Sequence, residues 1–90
     1  MFDWRLIMDR IEKVMSRYAN GKKTMTCTEV TIKQDAVVYE ELITDCQVHY
    51  EVEIQTVGKH HPYMKVFMDK DSANRYALYI IRKEDFKKVG

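Results

Sequence analysis

The residues with the widest chemical range in this chain are two cysteines, Cys27 and Cys46, and three histidines, His49, His60 and His61. Zinc needs several nitrogen or sulfur ligands converging on a tetrahedron. Cys46-Gln47-Val48-His49, followed by His60-His61, supplies the ligand types but matches no zinc spacing. On an extended strand, positions 46 and 49 point to opposite faces. No metal and no cofactor are expected.

Histidine titrates near neutral pH and suits acid–base work. His49 and His61, with Lys65 as a cation, are the set from which a small nuclease would draw its base, its acid and its phosphate contact. A carboxylate to orient His49 is available only if Asp69 faces it across a hairpin. The three glycines are isolated, so no loop cradles a phosphate. No Ser-His-Asp or Cys-His arrangement stands in a recognisable context. No catalytic residue is assigned, and a nuclease using His49 and His61 is the least favoured of three readings.

Three groups of residues suit binding instead. Tyr63, Lys65, Phe67, Tyr79 and Ile81, with Ala77, are expected on the outward face of the last two strands. Aromatics beside lysine there form the apolar centre of a protein interface or a stacking platform for unpaired bases. Glu40, Glu41, Asp45, Glu51 and Glu53 make an acidic middle able to engage an arginine-rich partner. Arg10, Lys13 and Arg17, on one helical face leading to Lys22 and Lys23, are candidate phosphate contacts. A solvated helix face with an Asp9–Lys13 pair explains the same residues more simply.

The elements that must position these groups follow from periodicity. Trp4, Ile7, Met8, Ile11, Val14, Met15 and Tyr18 recur at steps of three and four, which predicts an amphipathic helix over 3–20. Asp3 would cap it, Phe2 and Ile7 would staple it, and Asn20-Gly21 would stop it. Strands are expected at about 24–33, 36–44, 46–57, 63–69 and 75–83, with a basic tail at 84–90. In the longest, Cys46, Val48, Tyr50, Val52, Ile54 and Thr56 alternate with polar residues, as in a strand with one buried face. Val37 and Val38 decide for strand over a short helix in 36–44. Met64, Val66 and Met68, then Tyr76, Leu78 and Ile80, are expected inward. Charge favours a hairpin register that sets Glu53 opposite Lys65 and His49 opposite Asp69.

Ninety residues fit one domain, and 46% hydrophobic with 32% charged residues is too apolar for a disordered chain. The longest apolar run, Tyr76–Ile81, is far too short to span a membrane, and acidic Asp3 and Asp9 argue against a signal peptide. Two cysteines are too few for a secreted disulfide framework, so buried free thiols and a cytoplasmic location, in a cell or an infected host, are expected. The net charge of +1 hides an uneven distribution. Residues 1–24 carry six basic and three acidic groups, residues 25–58 one and seven, and residues 59–90 eight and four.

The expected fold is α+β, the N-terminal helix packed on one face of a four- to five-stranded antiparallel sheet. The favoured function is a small non-catalytic protein-binding inhibitor or adaptor. Phages and mobile elements encode proteins of this kind, for example against a host nucleic-acid-handling or defence complex. A nucleic-acid-binding protein using the basic helix and the sheet aromatics is the alternative. No membrane partner is expected. A free sheet edge and an apolar outer face leave room for a homodimer.

Overall fold

A computed structural model describes residues 8–90 of the chain. Five strands form one antiparallel sheet in the order β4-β3-β2-β1-β5. They are β1 (Met8–Ala19), β2 (Lys23–Val38), β3 (Glu41–Thr56), β4 (Tyr63–Phe67) and β5 (Lys87–Val89). A single helix, α1 (Lys70–Glu84), follows β4 and packs on one face of the sheet.

The N-terminal helix expected over 3–20 is therefore overturned, and the helix of this fold lies near the C-terminus. Asp3, Trp4 and the Phe2–Ile7 staple lie outside the described residues. From Met8 onward every residue of β1 is paired with β2, from Met8↔Asp35 to Ala19↔Thr24. In a strand the three-and-four spacing splits between two faces. Ile11 and Met15 go to one side, Val14 and Tyr18 to the other. Asn20-Gly21 opens a hairpin loop instead of ending a helix. Gly21 takes φ 86°, and the Asn20 Oδ1 accepts from the Lys22 and Lys23 amides at 2.9 and 2.7 Å. An Asn-Gly pair between apolar-periodic segments is itself a strong hairpin signal.

The strand expected over 75–83 is overturned in the opposite sense. Ala73, Tyr76, Ala77, Ile80 and Ile81 recur at helical spacing and form the face of α1 turned to the sheet. Asp69 caps the helix, its carboxylate accepting from the Ser72 amide at 3.0 Å and the Ser72 hydroxyl at 2.8 Å. Asp85 closes it in the left-handed conformation at φ 55°, and the Phe86 amide donates to the Ile81 carbonyl at 3.0 Å. The tail beyond then turns inward: Phe86 is buried, and β5 pairs with Arg17–Ala19 of β1.

The single strand expected over 36–44 is broken by a turn and belongs to two strands. Ala36–Val38 end β2, Tyr39-Glu40 form a two-residue loop, and Glu41 opens β3. Both loop residues have positive φ, 49° and 66°, the pattern of a type I′ hairpin turn. Between β3 and β4 the register sets Glu53 opposite Met64, Val52 opposite Lys65 and Tyr50 opposite Phe67. It differs by one residue from the charge-matched register. A one-residue slip turns a strand over, so Phe67 faces α1 while Met64 and Val66 face away.

The core is small. Met25, Val52, Ile80 and Phe86 are buried together, with Tyr18, Cys27, Ile54, Phe67, Tyr76, Ala77 and Ile81 packed around them. The Phe67 and Tyr76 rings lie 5.4 Å apart, tilted by 44°. Asn20 ties the hairpin loop to the helix, its amide donating to the Glu84 carbonyl at 2.7 Å, and Lys23 pairs with the Glu84 carboxylate at 3.1 Å. At about 1.5 Å per residue, the 15 residues of α1 reach roughly 22 Å. The 16 residues each of β2 and β3 run roughly 50 Å at about 3.3 Å per residue. The helix thus covers only the end of the sheet near Met25 and Val52. The remainder projects as a three-stranded arm, and the molecule extends 58 × 27 × 21 Å.

Three outcomes test this fold. Met25→Ala and Phe86→Ala should each cost about 2–5 kcal/mol in denaturant unfolding. Val14→Ala should cost under about 1 kcal/mol, because Val14 is 68% exposed on a strand and not part of a buried helical stripe. The Asp69 carboxyl, held below the usual aspartate range by the Ser72 hydroxyl and amide, is most stabilising when ionised. That contribution is complete above the unfolded pKa of about 3.9 and is lost as pH falls through the lower folded value. Asp69→Ala should therefore lower Tm at pH 7, and the gap from the wild type should narrow on acidification below pH 4.

Candidate protein-binding surface

Strand parity gives the sheet two unlike faces. On the face towards α1, Tyr18, Met25, Cys27, Val52, Ile54 and Phe67 meet the helix. Further out along the arm that face becomes polar. Arg10 pairs with Asp35 at 2.8 Å, Lys33 with Glu12 at 3.2 Å, and the Thr44 hydroxyl donates to Asp35 at 2.6 Å. The Thr44 hydroxyl first, then the Arg10 guanidinium, hold the Asp35 carboxyl below its ordinary range. The polar groups of this part of the arm are thus largely paired with one another.

The opposite face carries no helix among the described residues. Its three long strands differ in charge. β1 contributes Lys13 and Arg17, with Asp9 at its outer end and exposed Ile11 and Met15 between them. β2 contributes Thr24, Thr26, Thr28, Val30, Ile32, Gln34, Ala36 and Val38, without a single charge. β3 contributes Glu41, Asp45, Glu51 and Glu53, all at positions of one parity. The register therefore puts a neutral stripe between a basic and an acidic border, through rows such as Arg17–Thr26–Glu53. Beyond the acidic border, β4 presents Met64 and Val66, 47% and 54% exposed. His49 lies on this face, its Nε2 2.9 Å from a Glu51 carboxylate oxygen.

Four of the five acidic candidates, Glu41, Asp45, Glu51 and Glu53, thus share one face, and Glu40 lies in the turn at the arm's tip beside the 94% exposed Tyr39. The aromatic set is dispersed. Phe67 and Ile81 pack against the core, and Tyr79 stands on the outer side of α1 with the Lys83 ammonium 5.6 Å from its ring centre. Tyr63 is exposed at the sheet edge. Lys65 lies over the Tyr76 and Phe67 rings at 4.8 and 5.4 Å, closing the edge of the core. Of the basic candidates, Arg10 points to the α1 side and is paired with Asp35, whereas Lys13 and Arg17 point away. Lys22 sits in the hairpin loop, and Lys23 is held by Glu84. Met64 and Val66, assigned inward from the sequence, are the outer-face residues that reasoning missed. Only the register exposes them.

The remaining chemistry is also separated. His61 lies in the loop before β4, about 20 Å along the sheet from His49 at about 3.3 Å per residue, and Lys65 is on the other face. Among the described residues no group of three His, Cys, Asp or Glu is placed to hold a metal, and no helix is long and apolar enough to cross a membrane. Cys27, opposite Val52, and Cys46, six residues earlier on β3, lie about 20 Å apart at strand spacing. A disulfide needs Cα atoms within about 7 Å. Both thiols are free, and Cys46 is exposed rather than buried. Burial pushes the Cys27 thiol up, which removes thiolate at neutral pH. A maleimide at pH 7 should therefore label Cys46 promptly and Cys27 slowly in the folded protein, with both labelled in denaturant.

The chain matches no protein-family model, and no curated protein or solved structure is significantly similar to it.

Proposed function

We propose that this chain is a small protein-binding inhibitor or adaptor, without a catalytic role, that docks through the open face of its sheet. The observation that carries this reading is the arrangement on β3 and β4. Glu51 and Glu53 stand in line with Asp45 and Glu41, and exposed Met64 and Val66 lie directly beside them. Apolar side chains flanked by an acidic row suit a partner surface that carries apolar anchors and arginines. An arginine-rich surface that otherwise holds nucleic acid is one such partner, in keeping with a role against a nucleic-acid-handling complex.

Direct nucleic-acid binding has weaker support. The basic side chains are divided between two faces, and the aromatics form no common platform. The two basic groups left on the open face, Lys13 and Arg17, share it with five carboxylates, those of Asp9, Glu41, Asp45, Glu51 and Glu53.

The test is a tagged pull-down from nuclease-treated lysate, comparing the wild type with Glu51→Lys/Glu53→Lys and with Met64→Asp/Val66→Asp. A stoichiometric protein retained by the wild type and lost, at least tenfold, from both variants is the expected result. All four positions lie outside the buried core, so the melting curves should change little. Recovery of RNA or DNA from untreated lysate, with affinity falling steeply with salt, would instead move the reading to nucleic acid.

A further inference from the structure

The basic border of the open face ends in an unpaired strand edge. Among the described residues, β5 pairs only with Arg17–Ala19, so β1 before Arg17 has a neighbour on the β2 side alone. Residues 9–15 of that edge are all exposed. Such an edge is a ready template for another strand unless charge or a covering element blocks it. Asp9-Arg10-Ile11-Glu12-Lys13 carries charges of both signs, and their order restricts which strand it accepts.

Two copies of one chain that extend a sheet through the same strand are related by a two-fold axis perpendicular to the sheet. That symmetry keeps each face on its own side, so an antiparallel self-pairing must be centred on a residue that faces its own copy. Centred on Arg10, Glu12 or Lys13, the pairing sets a charge against itself. Centred on Ile11, it sets Ile11 against Ile11, Arg10 against Glu12, and Asp9 against Lys13, each charged pair occurring twice by symmetry. Every cross-strand neighbour over 9–13 is then either apolar on apolar or of opposite charge. We propose that the chain forms a homodimer through this edge, joining the two sheets into one ten-stranded sheet centred on Ile11.

The rest of the fold accommodates the second copy. Over the described residues the pairing runs from Met8 to Val14 of each copy, short of Arg17 where β5 begins, and it directs the two folded ends away from each other. Of the other free edges among the described residues, β4 and β5 are short, at five and three residues, and Glu41–His49 of β3 carries Glu41 and Asp45 and no lysine or arginine, so it has no comparable self-match. The arm's intrachain pairs, Arg10–Asp35 and Lys33–Glu12, lie on one face and engage Arg10 and Glu12 with β2, so Asp9 and Lys13 are the charges left unengaged by them along the edge. Asp9 and Lys13 lie on the other face, where they can be exchanged without breaking those pairs. The inference is independent of the partner proposed above, which would dock on β3 and β4.

Sedimentation equilibrium on the full chain tests it. The wild type should sediment at twice its 10.8 kDa chain mass at micromolar concentration. Asp9→Lys sets lysine against Lys13 of the other copy, and Lys13→Asp sets aspartate against Asp9. Each variant alone should weaken the dimer at least tenfold while keeping the wild-type circular dichroism. Mixed in equal amounts, the two variants should dimerise again, because every charged pair in the mixed species is opposite in sign. Recovery on mixing separates a lost interface from a lost fold, since unfolded variants cannot complement. A monomeric wild type, variants that stay dimeric, or variants that fail to complement would each overturn the proposal.

Discussion

The architecture depends on a mismatch of lengths. A helix advances about 1.5 Å per residue and a strand more than twice as far, so fifteen helical residues cannot cover sixteen-residue strands. The chain has one helix among its described residues and places it at one end of the sheet. Met25, Val52, Ile80 and Phe86 become a core there, while the other end remains a ribbon. The exposed apolar side chains of the arm, the unpaired edge of β1 and the open outer face all follow from that one disparity. A domain of this size that has a small core leaves surface for a partner to cover.

At the covered end, packing is reinforced by polar ties that hold three segments together. Asn20 shapes the β1–β2 loop with its carbonyl oxygen and grips the last turn of α1 with its amide nitrogen. Lys23 adds an ion pair to the same turn. Phe86, just past the left-handed Asp85, fills the core and delivers β5 to the edge of β1. The arm relies on cross-strand pairs instead, and the acidic middle of the chain finds part of its compensation there. Asp35 takes Arg10, whereas Lys33, the one basic residue of 25–58, reaches out to Glu12. Glu41, Asp45, Glu51 and Glu53 have no cationic side chain paired to them within salt-bridge distance among the described residues apart from His49 beside Glu51. The charge asymmetry of the sequence is thus partly neutralised within the fold and partly displayed on its surface.

Helix and strand are exchanged between the two ends of the chain relative to their periodicities, and the reason is physical. Ile11, Val14, Met15 and Tyr18 suit one helical face, but twelve consecutive pairings with β2 recruit the segment into the sheet. Tertiary pairing outweighs local propensity, which differs by only fractions of a kcal/mol per residue. At the other end, Tyr76, Leu78 and Ile80 alternate well enough to suggest a strand. The Asp69–Ser72 cap and the spacing of Ala73, Tyr76, Ala77, Ile80 and Ile81 favour helix, and this face covers Met25 and Val52. Both corrections carried a local signal, Asn20-Gly21 as a hairpin and Asp69 as a cap.

By itself, the sequence determined that the chain carries an antiparallel sheet, whereas the helix it pointed to, over 3–20, was overturned. Strands were expected at about 24–33, 46–57 and 63–69, and β2, β3 and β4 run through Lys23–Val38, Glu41–Thr56 and Tyr63–Phe67. Of the inward set Cys46, Val48, Tyr50, Val52, Ile54 and Thr56, Val52 and Ile54 join the core, while Cys46 is exposed. The alignment of Glu41, Asp45, Glu51 and Glu53 was not legible, since the sequence divided at Asp45 what the structure makes one strand, Glu41–Thr56. Which terminus supplies the helix, where it stops covering the sheet, and which way β4 faces were decided by tertiary structure. Each depends on pairing between segments far apart in the chain, and a single-residue change of register exchanges Tyr63, Lys65 and Phe67 with Met64 and Val66. The proposed binding surface lies where it does because that register, which packs Phe67 against Tyr76 and the core, differs from the charge pairing that the sequence favoured.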